Sequence, residues 1–310
     1  MKKISQAQSD LIVDAVNEQL TRYPAAALEK DILLSEILMA LRNRSTIAGN
    51  ELQIVFGGGT SLVKGYSLLN RMSEDLDFKI VHPLLTRKEL KRVDLGILRD
   101  SIEKILVALG FQVLEKFTRD SRRYFCFELG YESSMENLIS LRNHILLEFT
   151  SSFIYPEKEN RKIETLLYRD GALSNPYQFD FPCVTPLQTT AEKILGLLRK
   201  VEAITTGENE RLMRHIYDIH QVVRNDFKPK ELNEIIALAV AEDYARYPTN
   251  YPAELKNNPR KYLDQASTQL LSTPNLNQIY ENFVSNLTSG SRTSLAEASQ
   301  SLEMMIKNIK

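Results

Sequence analysis

Little in this sequence suits an extracellular scaffold, a membrane protein or a polyelectrolyte. Only two of its 310 residues are cysteine. Cys126 and Cys183 each sit beside aromatic or proline residues, in neither a Cys-x-x-Cys nor a Cys/His spacing, so they read as buried structural thiols, not as disulfide or zinc ligands. The four histidines (His82, His144, His215, His220) are scattered, and the last two, five apart, do not share a helical face. No apolar run approaches the roughly 20 residues of a membrane-spanning helix. With 39 Lys+Arg against 40 Asp+Glu the net charge is -1, so no global field draws the chain to nucleic acid or anionic lipid, and any such partner needs a local patch. The N-terminal segment has two lysines but turns polar at once, without the apolar stretch of a secretory signal; a cytoplasmic protein without a membrane partner is expected.

What is present is an ordinary globular composition, 43% hydrophobic and 25% charged, in a length that suits one large domain or two of average size. Residues 1–50 show three- and four-residue apolar spacing and are expected to be helices packing on the core. From Glu51 the period changes to two: Leu52, Ile54 and Phe56 lead into Gly57-Gly58-Gly59, a strand running into a tight turn. A helix of about three turns is predicted after Thr60, which would serve as its N-cap. Glu74 to Val81 alternates again, with Asp75, Asp77 and Lys79 on one side. A helix is expected over about 87–109, then strands over 111–116, 123–130 and 144–154. Two prolines four apart, Pro182 and Pro186, break the pattern and mark a domain boundary. Beyond it the periodicity predicts helices over 189–201, 211–223 and 229–247, a long loop over 247–259, and a last helix ending near Lys307. The fold class expected is therefore α+β, a mixed sheet with flanking helices over 51–183 followed by a mostly helical domain over 184–310.

Chemistry concentrates in GGGT at 57–60 and SEDLD at 73–77. Asp75 and Asp77, two apart on a strand, project side by side. Their like charges repel by about 1 to 4 kcal/mol at effective dielectrics of 80 to 20, which invites a cation, and hard carboxylate oxygens suit Mg2+ completed by water and substrate phosphate. Gly58, Gly59 and Thr60 would let the backbone and the helix start approach that phosphate. The glycines match neither the dinucleotide fingerprint Gly-x-Gly-x-x-Gly nor the Walker spacing. Glu148, interrupting the apolar strand HILLEFTSSF, is the candidate third carboxylate, with edge-strand protection as the competing explanation. Arg71 would brace Glu74 or a phosphate, or form a structural ion pair. The basic clusters Arg87-Lys88 with Lys91-Arg92, and Arg119 with Arg122-Arg123, are candidate RNA-backbone contacts, the first of them read more readily as a solvated helix face.

The segment GGGTSLVKGYSLLNRMSEDLDF resembles the first motif of the AbiEii-type nucleotidyltransferase toxins, in the DNA polymerase beta-like nucleotidyltransferase superfamily. Gly58, Gly59, Thr60, Arg71, Ser73, Glu74, Asp75 and Asp77 match it. Glu148 is similar to the family's third acid; PLQTTAEKILGLLRK resembles its Ala-Glu-Lys helix, with Glu192 and Lys193 in the matching slots, and RHIYDI resembles a later Arg-Asp-Leu-Tyr-Asp pattern, with His215 where the family often has Asp. The resemblance implies Mg2+-dependent (or Mn2+-dependent) transfer of NMP from an NTP to an acceptor, an RNA such as a tRNA 3′ end, by the toxin of a toxin–antitoxin or abortive-infection system with a cognate antitoxin. It implies Asp75 and Asp77 as metal ligands, Glu148 assisting the acceptor hydroxyl or completing the metal site, Lys193 on the triphosphate, Asp218 as a further site acid, and Gly58, Gly59, Thr60 and Arg71 at the nucleotide, with the site in a cleft between the two parts. The alternatives are a silent nucleotide-binding regulator of the same fold and a metal-dependent phosphodiesterase.

Overall fold

The computed structural model describes residues 1–42, 52–85, 89–136, 141–155, 158–171, 177–198, 209–226, 229–246, 253–289 and 292–309. It divides into two compact units, Met1–Ser67 with Met72–Val184, and Leu68–Arg71 with Thr185–Lys310.

The first unit is a seven-stranded mixed sheet with helices. Two N-terminal helices, α1 (Gln6–Asn17) and α2 (Ala25–Leu41), precede β1 (Gln53–Gly57), α3 (Gly58–Lys64) and β2 (Asp75–Val81). Then follow α4 (Arg92–Ala108), β3 (Gln112–Arg119), β4 (Tyr124–Gly130), β5 (His144–Ser151), β6 (Glu159–Ile163), α5 (Leu166–Gly171) and β7 (Phe179–Cys183). The strand order is β3-β4-β5-β2-β1-β7-β6, parallel at β2–β5 and β1–β7 and antiparallel elsewhere.

One face of the sheet is a ladder of rings. Phe56, Phe78, Phe149 and Phe125 occupy matching positions on β1, β2, β5 and β4, all fully or almost fully buried. Phe78 stacks on Phe149 at 4.8 Å between centroids, and Phe149 on Phe125 at 4.9 Å. Such pairs add about 0.5–1.5 kcal/mol each beyond their buried area. A slip of one residue would turn every ring outward, so the ladder fixes the register of four strands. The opposite face then carries Asp75, Asp77 and Lys79 of β2, which alternate with the buried Leu76, Phe78 and Ile80.

Several expectations need correction. The helix after the glycines has seven residues, not three turns, and begins at Gly58, so Thr60 lies inside it and Gly57 stands at the N-cap with no side-chain bond. Two strands, β6 and β7, fall where none was expected. Pro182 lies opposite Asn160 in the β6–β7 ladder and is tolerated because its nitrogen is on the β1 side, the side to which Val184 N donates to Phe56 O, where β7 meets β1 only at Phe56 opposite Cys183. Arg87 and Lys88 lie outside the described residues.

The second unit is helical: α6 (Pro186–Leu198), α7 (Asn209–Asp226), α8 (Pro229–Arg246), α9 (Ala253–Asn257), α10 (Pro259–Leu271), α11 (Leu276–Leu287) and α12 (Leu295–Lys307). α7 packs against α6, α11 and α12. The loop expected over 247–259 contains α9 and the start of α10, whose first turn accommodates Pro259 and is capped by Asn258; residues 247–252 lie outside the described residues. Ser294 and Glu297 close α12 with a capping box. The short segment 68–71 joins this unit through Ser289 N donating to Asn70 O at 2.7 Å and a bridge from Arg71 to Thr288. Among the described residues no helix is long and apolar enough to cross a membrane.

Candidate active site

In the first unit the glycine turn and the acids meet at one point. Gly58 has φ +69°, and a Cβ built on it would lie 1.9 Å from Asp77 Oδ2 and 2.7 Å from its carboxyl carbon. Glycine is required there by both backbone and neighbour. Thr60 is buried; its hydroxyl donates to the backbone carbonyl of Asp75 and lies 2.7 Å from Ser73 Oγ. The Thr60 side chain thus ties the glycine turn to the start of the acid strand.

Asp75 and Asp77 point to the same, partly open face, and the parallel register sets Glu148 of β5 directly beside Asp77. The Tyr124 hydroxyl of β4 donates to Glu148 Oε1. Burial, reinforced by that bond, raises the Tyr124 pKa and keeps the phenol a donor. Arg142 Nη1 sits 3.0 Å from Asp75 Oδ1, with both side chains partly exposed. Among the described residues no three His, Cys, Asp or Glu side chains close on a common metal position. The donor set is thus two neighbouring carboxylates, with Glu148 at the side.

Behind this face lies a layer of buried charge that sequence reasoning missed. Three consecutive residues of α2, Glu29, Lys30 and Asp31, are buried and each grips a different segment. Lys30 Nζ meets Glu74 Oε2 at 3.0 Å and donates to Arg142 O at 2.9 Å, while Arg142 N donates to the same Glu74 oxygen at 2.8 Å. Asp31 accepts from Lys64 Nζ at 2.5 Å and Leu166 N at 2.8 Å. Glu29 accepts from Ser133 Oγ at 2.5 Å and Ser134 N at 2.7 Å. Burial pulls the pKa values of Lys30 and Lys64 down even against their acidic partners. The residue before Asp75 and the last residue of α3 are in this way clamped to one helix. The signal was a charged triplet inside an otherwise apolar helix, AAALEKDILL, where an unpaired charge would be costly.

The second unit holds the remaining candidates. Asp218 of α7 is fully buried; Arg71 grips it through Nε at 2.6 Å and Nη2 at 2.7 Å, and Lys193 Nζ of α6 lies 2.8 Å from Oδ2. Burial alone would raise the Asp218 pKa, but the two cations outweigh it and hold the carboxyl far below its usual range. His215 Nδ1 is 3.5 Å from Lys193 Nζ. Arg71, expected at Glu74, at a phosphate or in a structural ion pair, is buried against Asp218. Glu192 accepts from Gln188 Nε2 at 2.8 Å. The predicted residues therefore form two groups, Gly58, Gly59, Thr60, Asp75, Asp77 and Glu148 in one unit and Arg71, Lys193 and Asp218 in the other.

No curated protein matches the sequence. The fold is similar to that of MenT4, a nucleotidyltransferase toxin from Mycobacterium tuberculosis H37Rv, with a TM-score of 0.61 over 97% of this chain and 88% of that one, at 17% identity. The family profile described as nucleotidyl transferase AbiEii toxin, type IV toxin–antitoxin system, matches residues 40–302. With its glycine turn, paired aspartates and neighbouring glutamate covered by that match, the chain belongs to the AbiEii nucleotidyltransferase toxin family.

Proposed function

We propose that this nucleotidyltransferase moves NMP from an NTP to the 3′ hydroxyl of an RNA such as a tRNA end, in a divalent-metal-dependent reaction centred on Asp75, Asp77 and Glu148, and that it acts in the cytoplasm as the toxin of an antitoxin-controlled phage-defence system. The observation carrying this reading is the Gly58–Asp77–Glu148 line: a glycine with no room for a side chain, two acids on one strand face, and a third acid in register beside them.

Asp75 and Asp77 would hold Mg2+ or Mn2+, whose remaining positions suit water and substrate phosphate oxygens. The ion pair of Asp75 with Arg142 competes with this only weakly, because partly exposed pairs contribute about 0–1 kcal/mol. When bound, the metal neutralises charge on the transferring phosphoryl group. The backbone of Gly58 and Gly59 is assigned to the phosphates. Glu148, with Oε1 held by Tyr124, takes the proton of the acceptor hydroxyl on its other oxygen. The acceptor oxygen forms a bond to the α-phosphorus as the bond from that phosphorus to the bridging oxygen breaks, and pyrophosphate leaves with the electron pair. Lys193 is assigned to the triphosphate, Asp218 orients it, and Arg71 holds Asp218 in place.

The test is incubation of the purified full chain with α-labelled NTPs, Mg2+ and total RNA. Label should enter RNA with the wild type and not with Asp77→Ala. Release of label from pre-labelled RNA, with none gained, would instead identify a phosphodiesterase; nucleotide binding without turnover would identify a regulator.

A further inference from the structure

The open face of the sheet can be read line by line from its register. Asp77, Glu148, Cys126 and Phe117 share one line across β2, β5, β4 and β3; Lys79, Thr150, Tyr124 and Arg119 share the next. On the other side of the acids, the line through Asp75 carries Leu146, Glu128 and Glu115. One flank of Asp77 and Glu148 is thus cationic and aromatic, and the other carries three carboxylates, Asp75 paired with Arg142 and Glu128 beside His144.

The aromatic flank is continuous with the acids. Arg119 lies over the Phe117 ring at 4.4 Å from its centroid, Phe117 packs on Tyr124 at 5.6 Å, and Tyr124 donates to Glu148. Edge-strand protection explains an arginine on β3. It does not explain a phenylalanine 38% exposed beside it, on the same face as the acids. The corner joining β3 to β4 passes through three successive left-handed residues, Asp120, Ser121 and Arg122 (φ 49°, 52° and 70°). Left-handed backbone costs about 1–2 kcal/mol per residue. Arg122 is fastened to α4, with Nη1 where a Cβ on Gly96 would stand and 3.4 Å from Arg92 O. The corner carries three arginines against one aspartate.

We propose that Phe117, Tyr124 and Arg119 form a platform on which the last bases of a single-stranded RNA 3′ end stack, so that its terminal hydroxyl reaches Glu148. This rests on the nucleotidyl-transfer reading above. Every base offers a π face to such a surface. Lys79 and Arg119 complement the phosphates, and Glu115 with Glu128 repels a polyanion from the opposite flank, which leaves one direction of approach.

The platform is tested with the full-length chain and a 5′-fluorescent single-stranded RNA, with a blunt duplex of the same sequence as control, in binding without NTP and in transfer with saturating NTP. Phe117→Ala and Arg119→Ala should each weaken single-strand binding and raise the RNA KM by about 5- to 150-fold, the range for loss of one stacking partner. The KM for NTP and the Tm should stay close to wild type, and Phe117→Trp should restore binding. Unchanged RNA affinity and KM in both alanine variants, equal binding of the blunt duplex, or transfer of label to protein alone would each overturn the platform. A wild type that binds single-stranded RNA through Phe117 yet transfers nothing would instead contradict the proposed reaction.

Discussion

Gly58 lies so close to Asp77 that a single added carbon would stand 1.9 Å from the carboxylate oxygen Oδ2. Gly58→Ala should therefore act twice. The left-handed backbone should cost about 1–2 kcal/mol of stability, and the methyl should push the Asp77 carboxylate aside and reduce transfer far more than that loss of folded protein explains. Denaturant unfolding and label transfer, measured on the same preparation, separate the two.

Lys30 and Glu74 form a buried pair at the entrance to β2. Removing one partner leaves a charge without its counterpart, so Lys30→Met or Glu74→Gln should each cost about 3–5 kcal/mol. The double variant should lose clearly less than the sum. Additive losses in an unfolding cycle would show that the two side chains do not stabilise each other.

Asp218 is held ionised by Arg71 and Lys193 well below the ordinary carboxylate range. A folded pKa depressed below the unfolded value of about 3.9 gives stability that is complete above about pH 4 and is withdrawn as pH falls toward the folded value. Asp218→Asn should be less stable than wild type by about 3–5 kcal/mol at pH 7, and the gap should narrow from pH 4 downward. A gap independent of pH would contradict the assignment.

Arg142 pairs with Asp75 at a partly exposed position. Arg142→Ala should change stability by less than about 1 kcal/mol while lowering the Mg2+ concentration needed for half-maximal transfer, because the cation no longer competes with a guanidinium. A raised metal requirement would indicate that Arg142 assists the site.

Legibility from sequence followed how local each cause was. The strand into GGGT and the alternation through Asp75 and Asp77 are period-two patterns next to a glycine run, and β1 and β2 appear within a residue or two of their expected bounds. The α+β fold and the family resemblance were readable for the same reason. Glu148 stood out as a charge in an apolar strand, although its register beside Asp77 is set by the phenylalanine ladder, which only the folded sheet reveals. β7 was hidden by Pro182, and β6 by its short, polar sequence. The clamps from Lys30 to Glu74 and from Asp31 to Lys64 span 44 and 33 residues, and the grip of Arg71 on Asp218 spans 147. No spacing rule reaches across such separations.

Transfer of nucleotides to RNA at the carboxylate face around Asp77 is checked by sequencing cellular RNA 3′ ends after induction of the wild type and, separately, of Asp77→Ala. Untemplated nucleotides on a defined class of 3′ ends in the wild type, absent from an Asp77→Ala protein present at equal level, is the predicted result. Identical 3′ ends in both, alongside full toxicity of the variant, would contradict it.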